Sequence, residues 1–312
     1  MRIVFAGTPE FSVVALEALL AGGHQVVGVL TQPDRPAGRG QSLHASPVKQ
    51  AALGADLHVL QPMTLRDASI AQAVSDLQPE VLVVVAYGLL LPQSFLTLAP
   101  LGAINIHASL LPRWRGAAPI QRALLAGDQS TGITLMQMEP GLDSGPILSQ
   151  QVLAIGAQET AGSLHDRLAR LGADMVVHLL EAQRQGPWVG QTQPGEGITY
   201  AHKIRKGDAQ IRWNDSAAMA LRTVRAFAPA PSAQTYFKGE MLKVHAAIAS
   251  ARPASAPPGT IIALGDRIEV ACSDHAIAIT HLQRAGGRMQ EVASLLRGFP
   301  MSVGDQFDSA PE

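Results

Sequence analysis

Several common classes of protein depend on residues that this sequence has in short supply. It has a single cysteine, Cys272, which excludes an internal disulfide and a zinc site with two cysteine ligands. Its ten histidines show no H-E-x-x-H pattern or comparable ligand spacing, so we predict a protein without a bound metal. Low cysteine content is typical of reducing compartments, and we predict a cytoplasmic location.

Long apolar runs and signs of targeting are also missing. The longest run, about Val81–Leu91, is well below the roughly 18 residues that a membrane helix needs. Pro9, Glu10 and Glu17 interrupt the apolar residues near the N-terminus, which argues against a signal peptide. We therefore expect no membrane partner.

The chain lacks a large excess of charge of either sign. Its 24 Lys and Arg residues against 25 Asp and Glu give a net charge of −1, which argues against a surface that is basic throughout. The distribution is uneven, because residues 206–300 carry 11 basic and 7 acidic residues. This part of the chain is compatible with a local nucleic-acid-binding surface.

The first part of the chain alternates strand-like and helix-like segments, which predicts a doubly wound α/β fold with a parallel sheet. Buried strands are predicted at Arg2–Ala6, Gln25–Thr31, Asp56–Leu60, Val81–Ala86 and Ala103–His107. Helices are predicted from Pro9 to Leu20 with Thr8 as N-cap, and at Ser46–Leu53, Leu65–Leu77 and Ala161–Arg184. Such folds bind ligands at the carboxyl ends of their strands. The first strand–helix turn lacks the G-x-G-x-x-G fingerprint, which argues against a nicotinamide cofactor.

A Gly-, Pro- and Gln-rich stretch at residues 187–205 predicts a linker between a first domain at 1–186 and a second at 206–312. The second domain is predicted to begin with a helix near Ala217–Phe227. Short strands are then predicted at Ala233–Phe237, Leu242–Ile248, Thr260–Leu264, Ile268–Ala271 and Ile277–Leu282. Strands of this length and spacing favour a small antiparallel barrel.

Two polar residues follow each other closely at the end of a predicted strand. Side chains alternate along a strand, so Asn105 and His107 point to the same face. An amide that stabilises an oxyanion, two residues from an imidazole that handles protons, suits acyl or formyl transfer. The alternative is that Asn105 caps the strand and His107 is a hydrogen-bonded core histidine.

A carboxylate lies between two glycines in P-G-L-D-S-G-P, at Asp143. Pro146 and the β-like run after it argue against a nucleophile elbow, which needs a following helix. We interpret Asp143 as an acid held in a tight loop, with an ordinary hairpin turn as the alternative. The loop Ser109–Gly116 combines arginines, a tryptophan and a proline, which favours a ligand wall over a plain surface connection.

Five motifs in the same order resemble those of bacterial methionyl-tRNA formyltransferases, a branch of the folate-dependent formyltransferase family. They are Phe5–Phe11, Thr31–Gly40, Asn105–Pro119, Pro140–Gly145 and Thr199–Ile204. The resemblance covers nearly the whole chain. It implies a doubly wound Rossmann-like formyltransferase domain followed by a small OB-like β-barrel domain that contacts tRNA.

The resemblance also implies an activity. The family transfers a formyl group from 10-formyltetrahydrofolate to the α-amino group of methionine on initiator methionyl-tRNA, by direct attack of the amine through a tetrahedral intermediate. The catalytic residues would be Asn105, His107 and Asp143. The folate would contact Ser109, Leu110, Leu111 and Pro112. The tRNA would contact Arg35, Arg39, Lys203 and Lys206. We expect a monomer that needs no metal.

The sequence departs from the family pattern at two positions. Ala228 and Ala230 stand where family members often carry Asn and Trp, which bears on domain packing more than on catalysis. Two other functions stay open. One is a formyltransferase that acts on a nucleotide-sugar amine, and the other is an RNA-binding protein with an inactive Rossmann-like domain. The co-occurrence of Asn105, His107 and Asp143 argues against the second of these.

Overall fold

The computed structural model describes residues 1–37, 42–182 and 188–308. The chain divides into two compact units. The first unit comprises Met1–Pro119, Ser130–Ala154 and His165–His202. The second unit comprises Ile120–Gln129, Ile155–Leu164 and Lys203–Glu312. The domain bounds expected from the sequence, with a linker at 187–205, stay a prediction.

Eleven strands occur in the described residues of the first unit. They are β1 (Arg2–Gly7), β2 (Gln25–Leu30), β3 (Arg35–Ala37), β4 (Ser42–His44), β5 (Val59–Leu60), β6 (Val81–Val85), β7 (Ala103–His107), β8 (Arg115–Gly116), β9 (Ser130–Gln137), β10 (Ile147–Ala154) and β11 (Tyr200–Ala201). Seven of them form one sheet in the order β10-β9-β7-β6-β1-β2-β5. The strands β7, β6, β1, β2 and β5 are parallel to one another, whereas β9 is antiparallel to both of its neighbours, β7 and β10. The predicted doubly wound α/β fold is confirmed.

The helices up to residue 182 are α1 (Glu10–Ala21), α2 (Pro47–Gly54), α3 (Ala68–Asp76), α4 (Gln93–Leu96), α5 (Pro119–Ala126) and α6 (Ala161–Ala182). The sheet provides the core of the first unit, because every residue of β6 and β7 is buried. Continuous apolar runs of this kind are expected for parallel strands that are covered on both faces. Among the described residues, none of the helices combines the length and the apolar character needed to cross a bilayer.

Of the differences from the sequence-based predictions, three have a clear physical cause or change the sheet. Thr8 is not the N-cap of α1, since Pro9 occupies that position and the Thr8 hydroxyl donates to the carbonyl of Tyr87 at 2.8 Å. The hydroxyl therefore binds the chain just after β6 and is not used to cap the helix. The strand β9 was not predicted, and with β10 it adds an antiparallel hairpin to the parallel sheet. The helix α3 starts at Ala68 rather than at Leu65, because Asp67 accepts a capping hydrogen bond from Ser69 N–H.

The second unit contains an antiparallel sheet. Its elements after residue 203 are a 3₁₀ helix (Lys206–Ala209), α7 (Ala217–Phe227), β12 (Ala233–Phe237), β13 (Glu240–Pro253), β14 (Ile261–Leu264), β15 (Ile268–Ala271), β16 (His275–Arg284), β17 (Met289–Glu291) and α8 (Val292–Leu296). The main path runs β12-β13-β16-β15-β14, and β17 pairs with β16.

A short segment near the end of the described chain joins the two edges of this sheet. Asp308 pairs with Tyr236 in β12, and Gln306 pairs with Thr260, next to β14. These bridges close the sheet into a small barrel, which confirms the predicted barrel. Its interior is apolar and includes Phe237, which packs its ring edge-on against Phe307.

Candidate active site

The last residues of β7 lie at the carboxyl edge of the main sheet, where parallel folds bind ligands. Asn105 and His107 are separated by one residue and lie on the same face of the strand. Asn105 is 9% exposed and His107 is 5% exposed. Buried polar groups of this kind need hydrogen-bond partners, and both side chains have them.

Asp143 lies in the loop that connects β9 to β10, which is the hairpin turn offered as an alternative from the sequence. Its role as a catalytic acid stays a prediction. Its backbone is left-handed, with a φ of 49°. Asp tolerates this region better than most residues, but the conformation still needs support from its surroundings. At Gly145 the chain passes so close to the carbonyl of Gln137 that a Cβ atom would overlap it. The loop is therefore closely packed against the end of β9.

The structure brings Asn105, His107 and Asp143 together. The Nδ2 atom of Asn105 donates to Oδ1 of Asp143 at 3.3 Å. The Nδ1 atom of His107 lies 3.7 Å from Oδ2 of Asp143, within ion-pairing distance. The main-chain N–H of Gly116 donates to the same Oδ2 at 2.8 Å. One carboxylate thus contacts an amide, an imidazole and a peptide N–H.

The two ring nitrogens of His107 have different partners. Nε2 lies 2.9 Å from the carbonyl oxygen of Trp114. Since a carbonyl only accepts hydrogen bonds, Nε2 carries a proton in this arrangement. Nδ1 is then the nitrogen that can gain or lose a proton, and it faces Asp143.

The position of Gly116 depends on a second pair of strands. β8 runs parallel to β11, with Arg115 opposite Tyr200 and Gly116 opposite Ala201. Gly116 has a φ of 118°, and a Cβ atom there would lie 2.8 Å from the carbonyl oxygen of Ala201. Only glycine fits this close approach, which presents the Gly116 N–H to Asp143.

The predicted folate-binding residues form the turn after β7. Ser109 and Leu111 are buried, whereas Leu110 and Pro112 are partly exposed. The Ser109 hydroxyl donates to the carbonyl of Arg113 at 2.6 Å, so it shapes the loop. Their assignment to a folate stays a prediction.

Thr134, which the sequence analysis did not identify, forms hydrogen bonds to the main chain of this turn. Thr134 in β9 donates to the Ser109 carbonyl at 2.6 Å and accepts from the Leu111 N–H at 3.1 Å. Gln150 in β10 donates to the Thr134 hydroxyl at 2.8 Å and to the Leu111 carbonyl at 3.1 Å. Because β9 itself was not predicted and contains several polar residues, no local signal singled out Thr134.

A second residue that the sequence did not reveal is Gln193. It lies in the stretch interpreted as a linker, and its carboxamide is buried against the Asp143 loop. No spacing rule connects it to Asp143, which is 50 residues away in the chain.

The predicted tRNA-contacting residues lie in both units. Arg35 is exposed in β3, and its Nη2 donates to Oε1 of Gln32 at 2.8 Å. Arg39 lies outside the described residues. Lys203 and Lys206 are exposed in the second unit, Lys206 at the start of the 3₁₀ helix. In the described part of the chain, no group of three or more His, Cys, Asp and Glu side chains is arranged to hold a metal ion.

Comparison with known proteins gives the family. The family model described as formyl transferase matches residues 1–180, and the model described as formyl transferase, C-terminal domain, matches residues 203–300. A methionyl-tRNA formyltransferase from Dechloromonas aromatica is 50% identical over 309 residues, which is 99% of each chain.

Solved structures share the fold at low sequence identity. A methionyl-tRNA formyltransferase from Clostridium thermocellum matches with a TM-score of 0.55 and 16% identity, over 80% of this chain and 94% of that one. HypX from Aquifex aeolicus in complex with tetrahydrofolic acid matches with a TM-score of 0.65 and 15% identity, over 98% of this chain and 48% of that one. With the family models and the close relative, these findings show that the chain belongs to the formyl transferase family, in its methionyl-tRNA formyltransferase branch.

Proposed function

We propose that the protein transfers a formyl group from 10-formyltetrahydrofolate to the α-amino group of methionine on initiator methionyl-tRNA. The observation that carries this proposal is the convergence of Asn105, His107 and Asp143 at the carboxyl end of β7. A relative named for this activity, similar over almost its entire length, supports methionyl-tRNA as the acceptor.

The carboxyl edge of the sheet has surface that suits a folate. Ligands of this size bind in mostly apolar clefts with a few fixed polar groups. Leu110 and Pro112 present partly exposed apolar surface after β7, and Leu90, which follows β6, is 85% exposed. Because β6 and β7 are paired neighbours, both loops leave the sheet at the same edge. The bound folate supplies the formyl group.

Asn105 stabilises developing negative charge. Its Nδ2 group has two N–H bonds, and one of them donates to Asp143. The other donates to the formyl oxygen as that oxygen becomes anionic. One oxyanion donor is typically worth about 3–4 kcal/mol in kcat.

His107 and Asp143 handle the protons. The attacking amine releases a proton, and the departing folate nitrogen takes one up. Nδ1 of His107 and the Asp143 carboxylate face each other across 3.7 Å, so a proton passes between them and the reacting groups directly or through one water. Trp114 holds the ring through Nε2 and leaves Nδ1 as the working nitrogen.

The acceptor is held by basic side chains. We assign tRNA contacts to Arg35 and Arg39 in the first part of the chain, and to Lys203 and Lys206 in the second unit, which carries the excess of basic residues. Phosphate contacts of this kind make binding strongly dependent on salt. We propose that the enzyme acts as a cytoplasmic monomer.

The test is direct. The purified protein is incubated with 10-formyltetrahydrofolate and methionine-charged initiator tRNA, with methionine-charged elongator tRNA as the matched control. We expect formyl-methionine on the initiator tRNA and at least about tenfold less on the elongator. A parallel incubation replaces the tRNA with a nucleotide-sugar amine, and tRNA binding is measured separately. Formylation of the sugar amine and not of the tRNA would favour that rival, and tRNA binding without any transfer would favour an inactive RNA-binding protein.

A further inference from the structure

Gln193 is buried within an exposed stretch of chain. Its exposed fraction is 8%, while Thr192 and Pro194 on either side are exposed. Burying a carboxamide costs free energy unless its donors and acceptor find partners. The partners of Gln193 therefore indicate why this side chain turns inwards.

The Gln193 carboxamide makes hydrogen bonds in two directions. Its Nε2 group donates to the carbonyl of Asp143 at 2.9 Å and to the carbonyl of Gly145 at 2.8 Å. Its Oε1 atom accepts from Nε of Arg115 at 3.1 Å and from Nη2 of Arg115 at 2.7 Å. Carbonyls only accept hydrogen bonds and a guanidinium only donates them. The Nε2 atom of Gln193 must therefore face the two carbonyls, and its Oε1 atom must face Arg115.

The two carbonyls that Gln193 binds belong to the reactive loop itself. Asp143 has a left-handed backbone, and such a conformation persists where surrounding contacts over-determine it. Holding the carbonyls of Asp143 and Gly145 sets the direction in which the Asp143 side chain leaves the backbone. That side chain is the one that meets Asn105 and His107.

Other hydrogen bonds already attach the segment that carries Gln193. The main chain of Gln191 exchanges two hydrogen bonds with Ile147, each 2.8 Å long. On the other side, the N–H of Arg115 donates to the carbonyl of Thr199 at 2.9 Å. The segment is thus attached on both sides of Gln193 without its side chain. The main effect of the Gln193 carboxamide is therefore to hold the Asp143 loop, since main-chain bonds already hold its own segment in place.

We propose that Gln193, oriented by the Arg115 guanidinium, is a positioning residue that holds the Asp143 carboxylate in its reactive place. The inference rests on the proposed formyl transfer. Gln193 acts through the main chain of the Asp143 loop, which lies next to the reacting groups. A misplacement of a reactive group by about 1 Å can lower the rate by roughly a hundredfold, so we expect a loss of roughly tenfold to a hundredfold here.

The experiment compares Gln193→Met with Gln191→Met in the full-length protein. Methionine is close to glutamine in length and uncharged, but it cannot hold the two carbonyls. Gln191 lies two residues away on the same segment, its side chain is exposed, and its main-chain bonds are unaffected by the substitution. Gln193→Glu is the second variant, since a carboxylate keeps the contact with Arg115 but has no donor for Asp143 and Gly145.

Three kinds of measurement are made on each variant: steady-state kinetics for kcat and for KM of both substrates, thermal unfolding for the melting temperature, and NMR for the ¹⁵N shifts of the histidine ring nitrogens. The His107 signals are assigned from their absence in His107→Gln. For Gln193→Met and Gln193→Glu we expect kcat to fall by roughly tenfold to a hundredfold with KM values within about threefold. The ring-nitrogen shifts of His107 should change, and those of the other nine histidines should stay as in the wild type. Gln191→Met should match the wild type throughout.

Two outcomes would overturn the inference. The first is a wild-type kcat and unchanged His107 shifts in Gln193→Met. The second is a loss of activity that only follows a loss of folded protein and leaves the His107 shifts unchanged. If the wild type formylates no charged tRNA, the proposed function fails, and the His107 shifts still test the positioning by themselves.

Discussion

The two units bury different kinds of side chain. Of the twelve buried polar side chains in the described residues, nine lie in the first unit and three in the second. Two of the three in the second unit bond to carbonyls nearby in sequence, as when Thr223 donates to Met219 and Ser232 to Pro229. In the first unit, Asn105 and Gln193 reach across 38 and 50 residues to Asp143.

Buried polar side chains and buried apolar side chains have different effects in this protein. A long-range buried polar network is costly unless every member is satisfied, and it is retained where a fixed geometry matters. An apolar barrel interior stabilises without directing any particular atom. Substitutions in the polar network of the first unit should therefore cost rate, and substitutions in the barrel core should cost stability.

The largest expected effect is on rate, in the first unit. Asp143→Asn keeps the size of the side chain but removes its charge beside His107, so kcat should fall by roughly 10²–10³-fold. The melting temperature should stay within about 2 °C. The measurement is a formylation time course with thermal unfolding alongside. The matched control is Asp174→Asn, an exposed carboxylate in α6. Near-wild-type turnover in Asp143→Asn would remove this residue from the mechanism.

In the barrel core, the thiol of Cys272 should react very slowly. Burial, together with the nearby charges of Asp274 and Asp215, raises the pKa of the Cys272 thiol to about 12. Because the thiolate is the reactive form, the native protein should react with a thiol reagent at pH 8 at least about a hundredfold more slowly than the protein in denaturant. Modification is followed by mass spectrometry. Equal rates in the two states would show that the barrel opens readily.

A cavity in the barrel should cost stability and spare the rate. Ile279 in β16 has no exposed surface, so Ile279→Ala should lower the free energy of unfolding by about 2–5 kcal/mol. The kcat of the folded protein at 25 °C should stay within about twofold. Calorimetry and the formylation assay measure the two quantities, with the exposed Ile248→Ala as control. A large fall in kcat would mean that the barrel interior does influence the reaction.

The smallest effect is expected at the barrel surface. The two hydrogen bonds that Arg284 donates, each 2.8 Å long, lower the pKa of the Glu240 carboxyl below its ordinary value of 4.5. Because the pKa is lower in the folded state, the ion pair stabilises the fold at pH values above the ordinary pKa of 4.5. This contribution is lost as the pH falls through the lower pKa of the folded state. Glu240→Gln should shift the melting temperature by about 1 °C or less at pH 7, because both side chains are partly solvated. The shift should shrink at pH 3, and a shift that grows there would contradict this account.

Local sequence patterns were sufficient for most elements. The predicted bounds of β7, α7, β12 and β15 match the structure to the residue. Each is a short run with clear apolar periodicity and turn residues at its ends. The strand β9 was missed because its threonines and glutamine interrupt the apolar pattern, and Asp67 moved the start of α3 through a capping bond that periodicity does not reveal.

The candidate site was predictable in part. The alternation of a strand placed Asn105 and His107 on one face, the flanking glycines singled out Asp143, and the family resemblance grouped the three residues as catalytic. Gln193 was not predicted, because its stretch has the composition of a linker and the residue acts only through contacts made after folding. Thr8 illustrates the same point, since its hydroxyl binds the Tyr87 carbonyl 79 residues away instead of capping the next helix.

The sequence by itself determined the α/β class, the barrel, most strand positions and the family, because apolar periodicity, turn residues and motifs act over a few neighbouring residues. Only the tertiary structure decided how the Asp143 carboxylate is held, which nitrogen of His107 faces it, and that Gln193 and Arg115 support the loop. Those contacts join residues that are 27 to 78 positions apart. They form because strand pairing and close backbone approach at glycines bring distant segments together, and no local pattern encodes that pairing.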